Sequence, residues 1–87
     1  MAKTIYREEY RLVVSRLRDA REALALSQTT LAARLGHTQQ WISQVESGSR
    51  RLDVIEFAEL CLALDVDPTA VLAPVAQALA QPRKIRR

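Results

Sequence analysis

Apolar residues recur at three- and four-residue spacing along almost the whole chain, and nowhere do they alternate convincingly with period two. With two glycines, three prolines and few β-branched runs, that pattern restricts the chain to an all-α fold. A length of 87 residues leaves room for one small core and not for a second. A single domain over residues 1–80 is therefore expected, followed by a polar, basic tail at 81–87. The apolar fraction of 48% against 26% charged residues is that of an ordinary globular chain and excludes a core-poor, disordered one.

Capping signals divide the chain. Tyr10, Val13, Val14, Leu17, Ala20 and Leu24 form one stripe on a 3.6-residue period, which predicts a first helix from about Tyr6 to Ala25. Ser27 offers an N-cap oxygen to a second helix, Gln28 to Leu35, which Gly36 ends. Thr38 caps a third, Gln39 to Glu46, stopped by Gly48. Asp53 and Glu56 have capping-box spacing ahead of a fourth, Val54 to Leu64. Asp67 and Pro68 open a fifth, which Pro74 is expected to end or kink, with room for a last short helix reaching about Ala80.

The net charge of +3 argues for nothing by itself, but its distribution does. Residues 1–51 hold nine basic and five acidic side chains, residues 52–80 hold five acidic and no basic ones, and residues 81–87 hold four basic ones. The first block suits a polyanion and the second should face away from one. A single cysteine, Cys61, and a single histidine, His37, form no internal disulfide and cannot supply the four ligands of a structural zinc site, so neither metal nor cofactor is expected. No nucleophile, base and orienting group can be assembled around them, and no Gly-rich phosphate loop is present, so an enzyme is not expected. No basic-then-apolar leader opens the sequence, and the longest uncharged run, Pro68 to Pro82, is broken by Pro74 and too short to span a membrane. A soluble, cytoplasmic protein is expected.

The informative stretch is Gln28 to Val45, where two short helices are joined by Gly36, His37 and Thr38, a turn too short for an antiparallel pair. Steeply crossing helices need a small residue at the crossing (Ala32), a residue free to take positive φ (Gly36) and apolar anchors on the second helix (Ile42, Val45). All are present. The opposite face of the third helix carries Gln39, Gln40, Ser43 and Gln44, polar and uncharged.

The run LRDAREALALSQTTLAARLGHTQQWISQVESGSRRLDVIEFAELCLALDVDPTAVL, Leu17 to Leu72, resembles the lambda-repressor and Cro type of helix-turn-helix proteins, the xenobiotic-response-element family. The resemblance rests on Arg21 in the first helix, SQ-x-x-LA at the head of the second, the glycine turn, W-I-S-x-V-E-x-G closing the third, and the A-L-D-V-D-P joint. It implies a five-helix, lambda-repressor-like DNA-binding domain whose third helix enters the major groove of double-stranded DNA, with Thr38, Gln39, Gln40 and Gln44 near it. The chemistry agrees, since a glutamine amide matches the N7 acceptor and N6 donor of adenine; Gln39, Gln40 and Gln44 are the expected base readers. Gln28 and Thr38, at helix N-termini, are expected to contact phosphate, as are Arg50 and Arg51, with an adjacent minor groove as the alternative for the arginines. Ser43 either contacts phosphate or a base edge, or is a small residue that permits close approach.

Arg21 and Glu46 each fall in an otherwise apolar stripe, where an unpaired charge is costly, so they are expected to pair; in the resembling family such a pair fixes the angle of the third helix. Trp41 is expected at the edge of that helix, His37 in a solvated turn, and Cys61 in a small buried position. One module reading about four or five base pairs is too unselective alone, which implies a homodimer on an inverted repeat. Ile55, Leu62, Val71, Val75 and Leu79 are its expected interface, in a C-terminal dimerisation extension of about 68–80 beside the family-like core 17–72. The leading reading is a bacterial or phage transcriptional repressor, nucleoid-associated. The competing one is an antitoxin-like or adaptor module that binds a protein partner through its C-terminal surface. The tail is expected either to add DNA affinity, such that deleting Arg83 to Arg87 weakens binding without changing preference, or simply to solubilise.

Overall fold

The computed structural model describes residues 7–81. These form five helices in the order α1 (Glu8–Ala23), α2 (Gln28–Leu35), α3 (Gln39–Ser47), α4 (Val54–Ala63) and α5 (Pro68–Ala80), with no strand among the described residues. The domain is all-α, as the apolar spacing requires.

The starts of α2, α3, α4 and α5 are each set by a side-chain oxygen that accepts a first-turn N–H. Ser27 accepts from Thr30 at 3.0 Å and Thr38 from Trp41 at 3.1 Å. Asp53 accepts from the Glu56 N–H at 2.7 Å while the Glu56 carboxylate returns a bond to the Asp53 N–H at 3.0 Å, a complete capping box. Asp67 accepts from Thr69 at 2.9 Å, and Pro68 in the first turn loses no bond there. Gly36 ends α2 in the left-handed region, φ 73°, which lets the His37 N–H reach back to the Ala32 carbonyl at 2.9 Å.

Four boundaries differ from expectation. The described part of α1 ends at Ala23 rather than Ala25, because Ala25 itself takes φ 59° and the Leu26 N–H closes on the Arg21 carbonyl at 3.1 Å. A left-handed alanine costs about 1–2 kcal/mol. The turn offsets this by bringing Leu26 onto the core while Leu24, expected in the buried stripe, stands exposed. The expected start near Tyr6 lies outside the described residues, as does the basic tail from residue 82. At the other end Pro74 neither stops α5 nor opens a new helix: the helix runs on to Ala80. The bond Pro74 lacks is one to the Ala70 carbonyl, and both residues are exposed, so that oxygen is open to solvent while Val71 and Val75 hold the helix on its neighbours. The remaining differences are a single residue each, α3 reaching Ser47 and α4 ending at Ala63.

One core joins all five helices. Leu31, Ala32, Ile42 and Val45 of the central pair pack with Val13, Val14 and Leu17 of α1, Leu60 and Cys61 of α4, Leu64 just beyond it, and Val71 of α5. α5 lies along α1, α3 packs against α1 and α2, and α2 against α4. This leaves one long face of α3 outside.

Candidate nucleic-acid interface

α3 is two-sided. Trp41, Ile42 and Val45 are buried, whereas Gln39, Gln40 and Gln44 are exposed and Ser43 is half-buried between the two sides. Ala32 is buried where α2 meets α3, which permits the close crossing. The first-turn N–H groups of both helices point away from any intrahelical acceptor, so this end carries partial positive charge.

A partly buried polar chain ties α3 to α1 and α2. Arg21, 9% exposed, donates from Nε to Glu46 Oε2 at 2.7 Å and from Nη2 to Oε1 at 3.1 Å, a bidentate pair, and from Nη1 to the Leu26 carbonyl at 2.7 Å. These bonds to Glu46 push the Arg21 guanidinium still further above its ordinary range. Gln28 donates from Nε2 to Glu46 Oε1 at 3.0 Å, and its Oε1 accepts from Gln39 Nε2 at 2.6 Å. The chain Arg21, Glu46, Gln28, Gln39 thus links α1 to the exposed start of α3 through α2. Its one carboxylate is neutralised by Arg21, so it adds no repulsion toward an anion.

Gln28, expected at a phosphate through the N-terminus of α2, turns its side-chain amide onto Glu46 and Gln39. Two further contacts escaped sequence reasoning. His37, read as a solvated turn residue, is half-buried and stacks on Trp41 with ring centroids 3.7 Å apart and planes 6° apart. Trp41 packs its ring into the core, and the Arg50 guanidinium lies 5.9 Å from its ring centroid. Tyr10, read only as part of the α1 stripe, donates its hydroxyl hydrogen to the Arg50 carbonyl at 3.0 Å and accepts the Leu52 N–H at 3.0 Å. Arg51 sits over its ring at 4.5 Å. Tyr10 therefore pins the α3–α4 loop to α1. The other end of the loop is tied by the Gln44 carbonyl, which accepts from the Ser49 and Arg50 N–H groups, both at 3.1 Å.

The expected interface residues do not stay together. Val71 is 1% exposed in the chain's own core and has nothing to offer a second chain, which removes it from the set. Val75 is half-buried against the core, while Ile55, Leu62 and Leu79 are exposed. Among the described residues no group of three or more His, Cys, Asp or Glu side chains is placed to hold a metal ion, and no helix is long and apolar enough to cross a membrane.

The helix-turn-helix family model matches residues 17–71, well over half of the chain. A solved structure, an XRE-family like protein from Pseudomonas syringae pv. tomato str. DC3000, superposes with a TM-score of 0.76 at 40% identity, covering 90% of this chain and 94% of that one. The chain belongs to the XRE-type helix-turn-helix family. An HTH-type transcriptional regulator of Sinorhizobium fredii (strain NBRC 101917 / NGR234), y4dL, is 41% identical over 69 residues, which are 79% of this chain. The XRE-type chain spans only a third of the length of that relative. The turn between α2 and α3 with its glycine, and the Arg21–Glu46 pair behind it, both lie within the matched region. XRE-type helix-turn-helix proteins are DNA-binding regulators of transcription, and the fold that carries that activity is the one present here.

Proposed function

We propose that the chain binds double-stranded DNA sequence-specifically and regulates transcription, most simply as a repressor that occludes a promoter in the cytoplasm of a bacterial cell or during phage growth. The observation that carries this reading is the exposed, uncharged amide face of α3, Gln39, Gln40 and Gln44, on a helix bonded to both α1 and α2. A side chain that presents a donor and an acceptor side by side reads adenine in the major groove, at about 1–3 kcal/mol per bidentate pair.

In this reading Gln40 and Gln44 read base edges freely. Gln39 reads from a fixed position: one of its two N–H hydrogens is given to Gln28, and its Oε1 and second N–H remain for a base. Gln28 acts mainly by aiming Gln39, and reaches phosphate through its backbone N–H at the start of α2. Thr38 caps α3 with its hydroxyl and leaves the first-turn N–H groups to a phosphate. Ser43, beside the readers, lets the helix approach closely. Arg50 and Arg51, placed by Tyr10 and Trp41, meet the backbone without reading sequence.

Two copies on an inverted repeat, with half-sites roughly 34–36 Å apart, supply the selectivity one helix lacks. The exposed Ile55 and Leu62 support such pairing. Selection of bound DNA from a random pool tests the reading. The expected product is an inverted repeat with A·T pairs at reader positions. Recovery of no consensus overturns it.

A further inference from the structure

We propose that the outward face of α4, together with the C-terminal end of α2, is where a second copy of this chain docks. The inference deepens the pairing proposed above and rests on that reading only for the identity of the partner. Ile55 and Leu62 stand seven residues apart, two turns along one line of α4, on the side away from the buried Leu60 and Cys61. They are 66% and 83% exposed. Single exposed leucines are ordinary, but Leu62 also borders a groove whose other walls are Leu35, Ala63, Arg34 and Glu59. Among the described residues neither Arg34 nor Glu59 is paired, although charges elsewhere on this surface are.

A two-fold contact presents the same patch on both sides, so the patch must complement itself. An apolar centre flanked by one positive and one negative side chain does so. An axis near Leu62 seats that leucine against the partner's groove and brings Arg34 toward the partner's Glu59, twice over. Another apolar hollow, at Tyr10, Val13, Val75 and Leu79, is rimmed by Arg7, Glu9 and Arg51, with Arg7 and Glu9 already paired within the chain at 3.0 Å. A two-fold contact there brings two guanidinium groups but one carboxylate from each copy, an excess of positive charge. The α2–α4 groove also contains no residue of the reading face of α3 and none of the loop at Arg50 and Arg51, so DNA and a second copy can be held at once.

Sedimentation equilibrium of the full chain at tens of micromolar tests the proposal, with Leu62→Glu, Arg34→Glu, Glu59→Arg, the double reversal Arg34→Glu/Glu59→Arg, and Leu79→Glu. All four positions are exposed, so the fold should survive each change. The expected result is a dimer for the wild type, a monomer for Leu62→Glu, and a dissociation constant raised about tenfold or more by either single reversal. The double reversal should return it to within about threefold, because the pairs reform with exchanged signs. Leu79→Glu should still dimerise. A monomeric wild type, a Leu62→Glu dimer, a double reversal no better than the singles, or a dimer broken only by Leu79→Glu would each overturn the proposal. DNA carrying one half-site separates this from the function reading. Leu62→Glu should keep half-site affinity and lose its preference for the inverted repeat, whereas a wild-type dimer that ignores DNA sinks the function reading and leaves the docking face standing.

Discussion

Arg21 occupies a position that the periodicity of α1 reserves for an apolar side chain, and it is tolerated there because Glu46 meets it with two bonds. Glu46→Ala strands the guanidinium and should cost about 3–5 kcal/mol, read as a lower midpoint in chemical denaturation. Replacing both partners, Arg21→Met with Glu46→Leu, should recover most of that stability yet weaken DNA binding, since α3 loses its tie to α1; DNA affinity unchanged in the double variant would refute the orienting role. At the reading face, Gln40→Ala should relax preference at one base pair by about 1–3 kcal/mol, whereas Arg51→Ala should weaken all sequences alike and flatten the logarithmic salt slope by about 0.9. Competition binding at two salt concentrations distinguishes them. The pairing of Arg21 with Glu46 was legible in the sequence because a charge in an apolar stripe demands a partner. The turn of Gln28 onto Glu46 was not, because which way a glutamine amide points depends on the crossing angle of α2 and α3, and packing alone sets that angle. The same holds for His37, whose stacking on Trp41 follows from the shape of the turn and not from its composition.

Helix starts were legible almost to the residue, and helix ends less so. Ser27, Thr38, Asp53 and Asp67 cap through bonds that span two or three residues, so the sequence contains both ends of each interaction. The end of α1 depends on Ala25 adopting a left-handed conformation without being glycine, a choice made by the burial of Leu26. α5 shows the same override, since its packing on α1 carries it through Pro74. Pro74→Ala restores the missing bond and should raise stability by about 1–3 kcal/mol, less than the full helix-interior penalty because the unfolded chain regains freedom. A midpoint that falls instead would mean the proline fits a bend in the helix. Alkali should act on the elements that Tyr10 and Cys61 join. Burial raises both groups above their ordinary values of 10.0 and 9.0, the phenol despite its bond to Leu52 and the nearby Arg51. The unfolded chain therefore releases these protons first, so their contribution is complete below pH 9.0 and is lost as pH rises through the folded-state values. Urea unfolding across that window should show the decline, and Tyr10→Phe should make it shallower.

The molecule as a whole sorts its charges by helix. The basic block before Leu52 includes the loop at Arg50 and Arg51, and the acidic block after it builds α4, so the charge reversal seen along the chain becomes a reversal across the fold. All-α architecture and the helix-turn-helix could be read from spacing alone; the separation of Leu62 and Leu79 into different hollows could not, because it depends on how α4 and α5 lie against α1 and α2. α3 carries a further consequence. Its inward side chains, Trp41, Ile42 and Val45, belong to the common core, and Gln40 and Gln44 belong to nothing but solvent. Exchanges at those two positions should leave stability within about 0.5 kcal/mol while changing the preferred site. A duplicated copy can thus acquire a new operator by one or two substitutions, each harmless to folding, and diverge from its parent without passing through an unfolded intermediate. Gln39, bonded to Gln28, should drift more slowly than either.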